Sequence, residues 1–105
     1  MRQNPKCWLA QFAPAGLEEC SYLLDPCHLI PKRLLKVEFP DRPELLKDER
    51  IIRRGCRQHH HHFDYSRKLK IPRKSLPASV EEFATELGRP VEAFLDREYG
   101  ERLGI

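Results

Sequence analysis

Cysteine and histidine carry most of the chemistry this chain can offer, and they gather in two places. Downstream, CRQHHHHFDYSRK puts Cys56, His59, His60, His61, His62 and Asp64 in one short segment. On a helix, residues three or four apart share a face, so Cys56 and His59 point one way while His60 and Asp64 point another. The first pair has the Cys-x2-His spacing of half a structural zinc site, which needs soft or borderline donors fixed tetrahedrally. Its other half must come from Cys7, Cys20 or Cys27. The second pair offers one imidazole and one carboxylate, a set that leaves positions open for water and phosphate on a catalytic divalent cation. A run of histidines is also what a purification tag looks like, but this one is internal and embedded in a patterned segment. Upstream, DPCHLIPKR sets His28 between Cys27 and two aliphatics. Read alone, that imidazole is a core side chain, a zinc ligand or a general base, and its ordinary pKa near neutrality suits the last role.

The elements that position these residues are short. Cys7-Trp8-Leu9 begins an apolar run closed by the loop around Pro14 and Gly16. Cys20 to Leu24 reads as a second extended segment ending at Pro26, and the two can pair as a hairpin. Pro31 stands where a first helical turn tolerates proline, ahead of a short basic helix from Lys32 to Lys36. Leu45, Leu46, Ile51 and Ile52 supply apolar surface on either side of Asp48. A helix is predicted from about Gln58 across the histidines. Ser79 and Glu82 form a capping box opening a helix through Leu87, stopped by Gly88 and Pro90. A final amphipathic helix runs from about Val91 to Tyr99. Trp8, Phe12, Phe83, Phe94 and Tyr99 read as packing aromatics.

At 105 residues the chain is one domain whose core is small enough to profit from a staple. The N-terminal MRQNPKCWLA has no apolar run long enough for a signal peptide, and no segment approaches a membrane span. That points to the cytoplasm, where four cysteines serve as metal ligands or buried thiols; two disulfides are the alternative. The net charge of +3 hides an uneven distribution: residues 1–74 hold 16 Lys and Arg against 9 Asp and Glu, and residues 75–105 hold 3 against 7. A basic half suits a polyanion such as DNA, whose phosphates release counterions on contact; a solvated basic face is the other reading.

With CHLIP upstream and CRQHH downstream, the sequence resembles the HNH endonuclease family, whose hallmark is a His followed shortly by Pro and a later Cys-x2-Cys-His. It is similar in particular to small HNH proteins encoded by bacteriophages, which add tails like DYSRKLKIPRKSLPASVEEFATELG and FLDREYG. The resemblance runs from about Cys7 to Gly100. It implies an α+β fold: a small treble-clef-like ββα-metal (His-Me) finger with a zinc-stapled hairpin and two C-terminal helices. Residues 1–74 would form the nuclease core, and 75–105 a helical extension packed on the same domain. The implied activity is metal-dependent hydrolysis of DNA phosphodiester bonds in phage replication or packaging, beside terminase, in the host cytoplasm. His28 would be the general base and His60 a ligand of the catalytic divalent cation, with Asp64 one turn later as another. Products would carry a 5′ phosphate and a 3′ hydroxyl. Lys32, Arg33, Arg57, Arg67 and Lys68 would be phosphate contacts that position the backbone without reading its sequence.

The chain also departs from the family pattern. Before the motif His, where the family places a metal-binding Asp or His, stands Cys27, so either Cys27 is a spectator or the cation is softer than Mg2+: Mn2+, Ni2+ or Zn2+. The middle Asn of the signature has no counterpart in KDERIIRRGC, and Asp48 is the nearest substitute for its work of propping the loop that holds the base. His59 replaces the second downstream cysteine, and the close upstream pair is opened to Cys7 and Cys20. The expected structural zinc site is therefore Cys7, Cys20, Cys56 and His59, with Cys27 in place of Cys7 as the rival set. Two function classes follow: an HNH nuclease, or a zinc-stabilised DNA- or protein-binding module that keeps the fold without turnover.

Overall fold

The structure, a computed structural model, describes residues 3–100. Among the described residues two strands, β1 (Leu24–His28) and β2 (Ile52–Cys56), form an antiparallel sheet; of four α-helices, α1 (Lys32–Glu38) lies between the strands and α2 (Arg57–Asp64), α3 (Ala78–Leu87) and α4 (Arg89–Tyr99) come after them. Leu29 donates to Ile51 beyond one end of the pair and Arg57 to Leu23 beyond the other, which sets the register. Contacts gather the described residues into two units, 3–27 with 53–70 and 28–52 with 71–100. Positions 101–105 of the expected 75–105 extension lie outside the described residues.

In the first unit, Trp8–Phe12 is a single 3-10 turn rather than the first strand of a hairpin. Pro5 before it and Ala13-Pro14 after it leave no room for a ladder, since proline lacks the donor and restricts its predecessor. The extended segment expected at Cys20 to Leu24 lies instead at Leu24–His28, and its partner is β2. Gly55 in β2 lies against buried Leu9: a Cβ there would stand 2.5 Å from Leu9 Cδ1. A strand glycine that lets another segment approach is the physical reason for that residue. β2 runs straight into α2, where Cys56 is the N-cap and its Sγ accepts from His59 N–H. Ser21 Oγ accepts from Gln58 N–H, so two of the donors left over at the helix start are satisfied.

The second unit holds most of the aliphatic core. Val80, Phe83 and Ala84 line one side of α3, and Val91, Leu95 and Tyr99 recur every four residues along α4. Gly88, at φ +89°, turns the chain between the two helices in a conformation glycine adopts without strain. The capping box expected at Ser79 does not form. The N-cap is Pro77 with no side-chain bond, and Ser79 sits inside the first turn, its hydroxyl donating to the Arg50 carbonyl. Arg73, only 10% exposed, forks onto Glu81 at 2.7 and 3.0 Å and reaches Asp96 at 2.9 Å, tying the segment before α3 to both helices. Among the described residues no helix is long and apolar enough to cross a membrane.

Candidate metal centres

Cys7, Cys20, Cys56 and His59 meet in the first unit, all four buried, with their donor atoms within 4.8 Å of one another. Each comes from a different piece of local structure. Cys7 precedes the 3-10 turn, Cys20 lies in the segment leading to β1, Cys56 ends β2, and His59 sits in the first turn of α2. His59 Nδ1 faces all three sulfurs, at 3.6 Å from Cys7, 3.5 Å from Cys20 and 3.2 Å from Cys56. A tetrahedral zinc, at about 2.3 Å from sulfur and about 2.0 Å from nitrogen, holds such atoms roughly 3.5 Å apart, so the set fits the ion. The other ring nitrogen is 2.7 Å from the Leu17 carbonyl, which accepts only; Nε2 therefore carries the hydrogen and Nδ1 presents its lone pair to the sulfurs. Backbone N–H groups of Cys56 and His59 donate to the sulfurs of Cys7 and Cys56.

The Cys20 and Cys56 thiols do not ionise alike. Burial pushes Cys20 up to about 12, with the Cys56 and Cys7 thiols adding to the rise. Burial works against Cys56 too, but donation from His59 and Ser21 pulls it below its ordinary value. A dry pocket this small accommodates one thiolate easily and further ones only with positive charge among them, which a divalent metal supplies. The four residues can thus bind a metal such as zinc. Cys27 does not join them, so the rival assignment falls.

Cys27 belongs to a second group, with His60 and Asp64, whose donor atoms also lie within 4.8 Å of one another. His60 and Asp64, one turn apart on α2, approach to 2.7 Å between Nε2 and Oδ2. Burial, then the charges of Asp64 and Cys7, pushes the Cys27 thiol far above its ordinary range and holds it neutral. What remains for a cation is one imidazole nitrogen and one half-exposed carboxylate, donors that suit a hard or borderline ion with open positions. Sequence reasoning missed a neighbour: Asp25 Oδ2 lies 3.5 Å from His60 Nδ1 and 3.5 Å from Arg57 Nε. Partial burial would raise its carboxyl, but Arg57 and His60 together hold it below the ordinary value. The signal was present in DPCH, an acid two positions before Cys27; the long-range contact with α2 was not.

In the second unit, His28 is half-buried and its Nε2 lies 2.7 Å from the Leu46 carbonyl. A carbonyl only accepts, so Nε2 carries the hydrogen and Nδ1 keeps a free lone pair, the state a general base needs. Support for this ring comes from the backbone of the 3-10 turn Pro43–Lys47. The Asp48 carboxylate, the expected prop, is engaged elsewhere: it caps the next turn and is gripped by the Arg50 guanidinium at 2.9–3.3 Å. Of the expected phosphate contacts, Lys32 and Arg33 are exposed in the first turn of α1, and Arg67 and Lys68 are exposed just after α2. Arg57 is exposed but engaged with Asp25.

No family model, curated protein or solved structure matches the chain.

Proposed function

We propose that the chain is a metal-dependent endonuclease of the HNH type that hydrolyses DNA phosphodiester bonds. The observation that carries this reading is the second donor group, Cys27, His60 and Asp64, separate from the Cys3His cluster. A zinc-stapled scaffold alone has no use for it. In this reading β1, β2 and α2 are the ββα-metal finger, and the Cys3His cluster is its structural staple. A divalent cation on His60 and Asp64 supplies Lewis-acid polarisation of the scissile phosphate and charge for the departing 3′ oxygen.

The chain's own residues do the rest. His28 follows Cys27 directly in the sequence and is the base in this reading. With Nε2–H committed to Leu46, His28 Nδ1 takes a proton from water. The resulting hydroxide forms the new P–O bond as the P–O3′ bond breaks, leaving a 5′ phosphate and a 3′ hydroxyl that takes its proton from solvent. Lys32, Arg33, Arg67 and Lys68 neutralise flanking phosphates in this scheme.

A second reading is favoured by one feature: a neutral, buried Cys27 where a harder ligand would serve a cation better. It makes the protein a zinc-stabilised binder of DNA or of another protein without turnover. Supercoiled plasmid with Mg2+, Mn2+, Ni2+ or Zn2+ separates the two. Nicking by the wild type that is lost in His28→Ala and His60→Ala supports the enzyme; a gel shift without nicking under every metal refutes it and leaves the binder.

A further inference from the structure

The Asp25 carboxylate has no part in the zinc-type cluster or in the hydrolytic scheme, yet it stands against the ring of His60. Both nitrogens of that ring are addressed by acids. Nε2 faces Asp64 at 2.7 Å, and Nδ1 faces Asp25 at 3.5 Å. The two acids are not equivalent, because Asp64 shares the donor group with Cys27 and His60 while Asp25 lies outside it. Asp25 is in turn tethered on its far side by Arg57 Nε, at 3.5 Å.

A neutral imidazole carries one hydrogen and one lone pair. If the lone pair on Nε2 goes to a cation, the hydrogen must reside on Nδ1 and needs an acceptor, and the group facing Nδ1 is Asp25. We propose that Asp25 is the positioning residue of the cation site: it accepts the Nδ1–H of His60, fixes the ring's tautomer and aim, and is itself oriented by Arg57. The inference rests on reading His60 and Asp64 as cation ligands. It adds a line of contacts, Arg57 to Asp25 to His60, that runs across the start of α2 into β1. A carboxylate behind a ligating histidine raises the basicity of the ring and holds it in place, and its loss typically weakens metal binding 10- to 100-fold. It also gives Arg57 a task other than phosphate binding.

The test uses the full chain with its structural metal in place, titrated with Mn2+ and followed by the electron paramagnetic resonance of the free ion. The wild type and Asp25→Asn are compared, with His60→Ala as the variant that removes the site. The expected result is that Asp25→Asn binds Mn2+ about 10- to 100-fold more weakly, with zinc content and melting temperature unchanged. Equal Mn2+ affinity in Asp25→Asn and wild type overturns the proposal and leaves the cation site standing. Failure of the wild type to bind Mn2+ at all removes the cation site, and the proposal with it. Should Asp25→Asn fold poorly, nitrogen-15 NMR of the Mg2+-saturated wild type decides by itself. His60 protonated on Nδ1, with that proton shifted downfield, agrees with the proposal; His60 protonated on Nε2 overturns it.

Discussion

Removing the metal from the Cys3His cluster should unfold the first unit and spare the second. The magnitude follows from what each unit buries. Among the described residues of the first unit the buried aliphatics are Leu9, Ala10 and Leu69; the rest of its buried set is cysteine, Gly55 and His59. At about 1.5–3 kcal/mol for each large side chain fully buried, Leu9 and Leu69 supply roughly 3–6 kcal/mol. Zinc on a Cys/His set of this kind contributes about 10–16 kcal/mol at neutral pH, so the ion outweighs the aliphatic packing. The second unit buries Leu29, Ile30, Leu35, Ile51, Phe83, Val91 and Leu95 among others and has no such dependence. The assay is hydrogen exchange read by segment, with bound zinc counted, before and after a strong chelator under reducing conditions. Amides of residues 8–12 and of α2 should lose protection while those of α3 and α4 keep it. Cys56→Ser should purify without the ion, and Cys27→Ser should retain it. Full protection of α2 in metal-free protein would refute the reasoning, as would zinc loss in Cys27→Ser with Cys7 intact.

Three further outcomes are expected. Gly55→Ala drives a methyl into Leu9 and should lower the stability of the first unit by about 1–3 kcal/mol in denaturant melts; a neutral effect would mean that Leu9 moves aside freely. Arg73→Met leaves Glu81 and Asp96 facing each other without their shared cation, at a cost of about 2–4 kcal/mol once the partial exposure of the acids is allowed for. A calorimetric scan checks it, and an unchanged melting temperature would show the fork to be idle. Hydrogen bonds from Arg50 hold the Asp48 and Glu86 carboxyls below their ordinary values, so their contribution is complete above the unfolded pKa values and is lost as pH falls through the lower folded ones. The melting-temperature gap between wild type and Arg50→Met should therefore be full at neutral pH and close as pH falls below about 4. A gap independent of pH would place the effect in the packing of Arg50 on Phe83 instead.

Local spacing was legible in the chain itself. Cys56 and His59 meet because three residues of helix bring them to one face, and His60 meets Asp64 for the same reason at four. The helices around the histidines and from 78 to 99 were readable from periodicity, proline and glycine, with boundaries shifted by a residue or two where caps decide. The hairpin was misread because an apolar tripeptide, Cys7-Trp8-Leu9, is compatible with a strand or a single tight turn, and flanking prolines settled it for the turn. The capping box at Ser79 failed because a tertiary acceptor, the Arg50 carbonyl, took the hydroxyl.

What depended on segments far apart in the chain was decided by folding. The chain pointed to Cys7, Cys20, Cys56 and His59 but left Cys27 as a rival to Cys7, and folding decided between them by turning Cys7 and Cys20 toward His59 and Cys27 toward His60. Asp25 behind His60, and the Leu46 carbonyl behind His28 in place of the Asp48 side chain, were equally hidden. The physical reason is one of range. Backbone geometry repeats over a few residues and so ties i to i+3 or i+4, whereas the partner of a strand residue is chosen by how β1, β2 and α2 pack, a choice in which every buried side chain takes part.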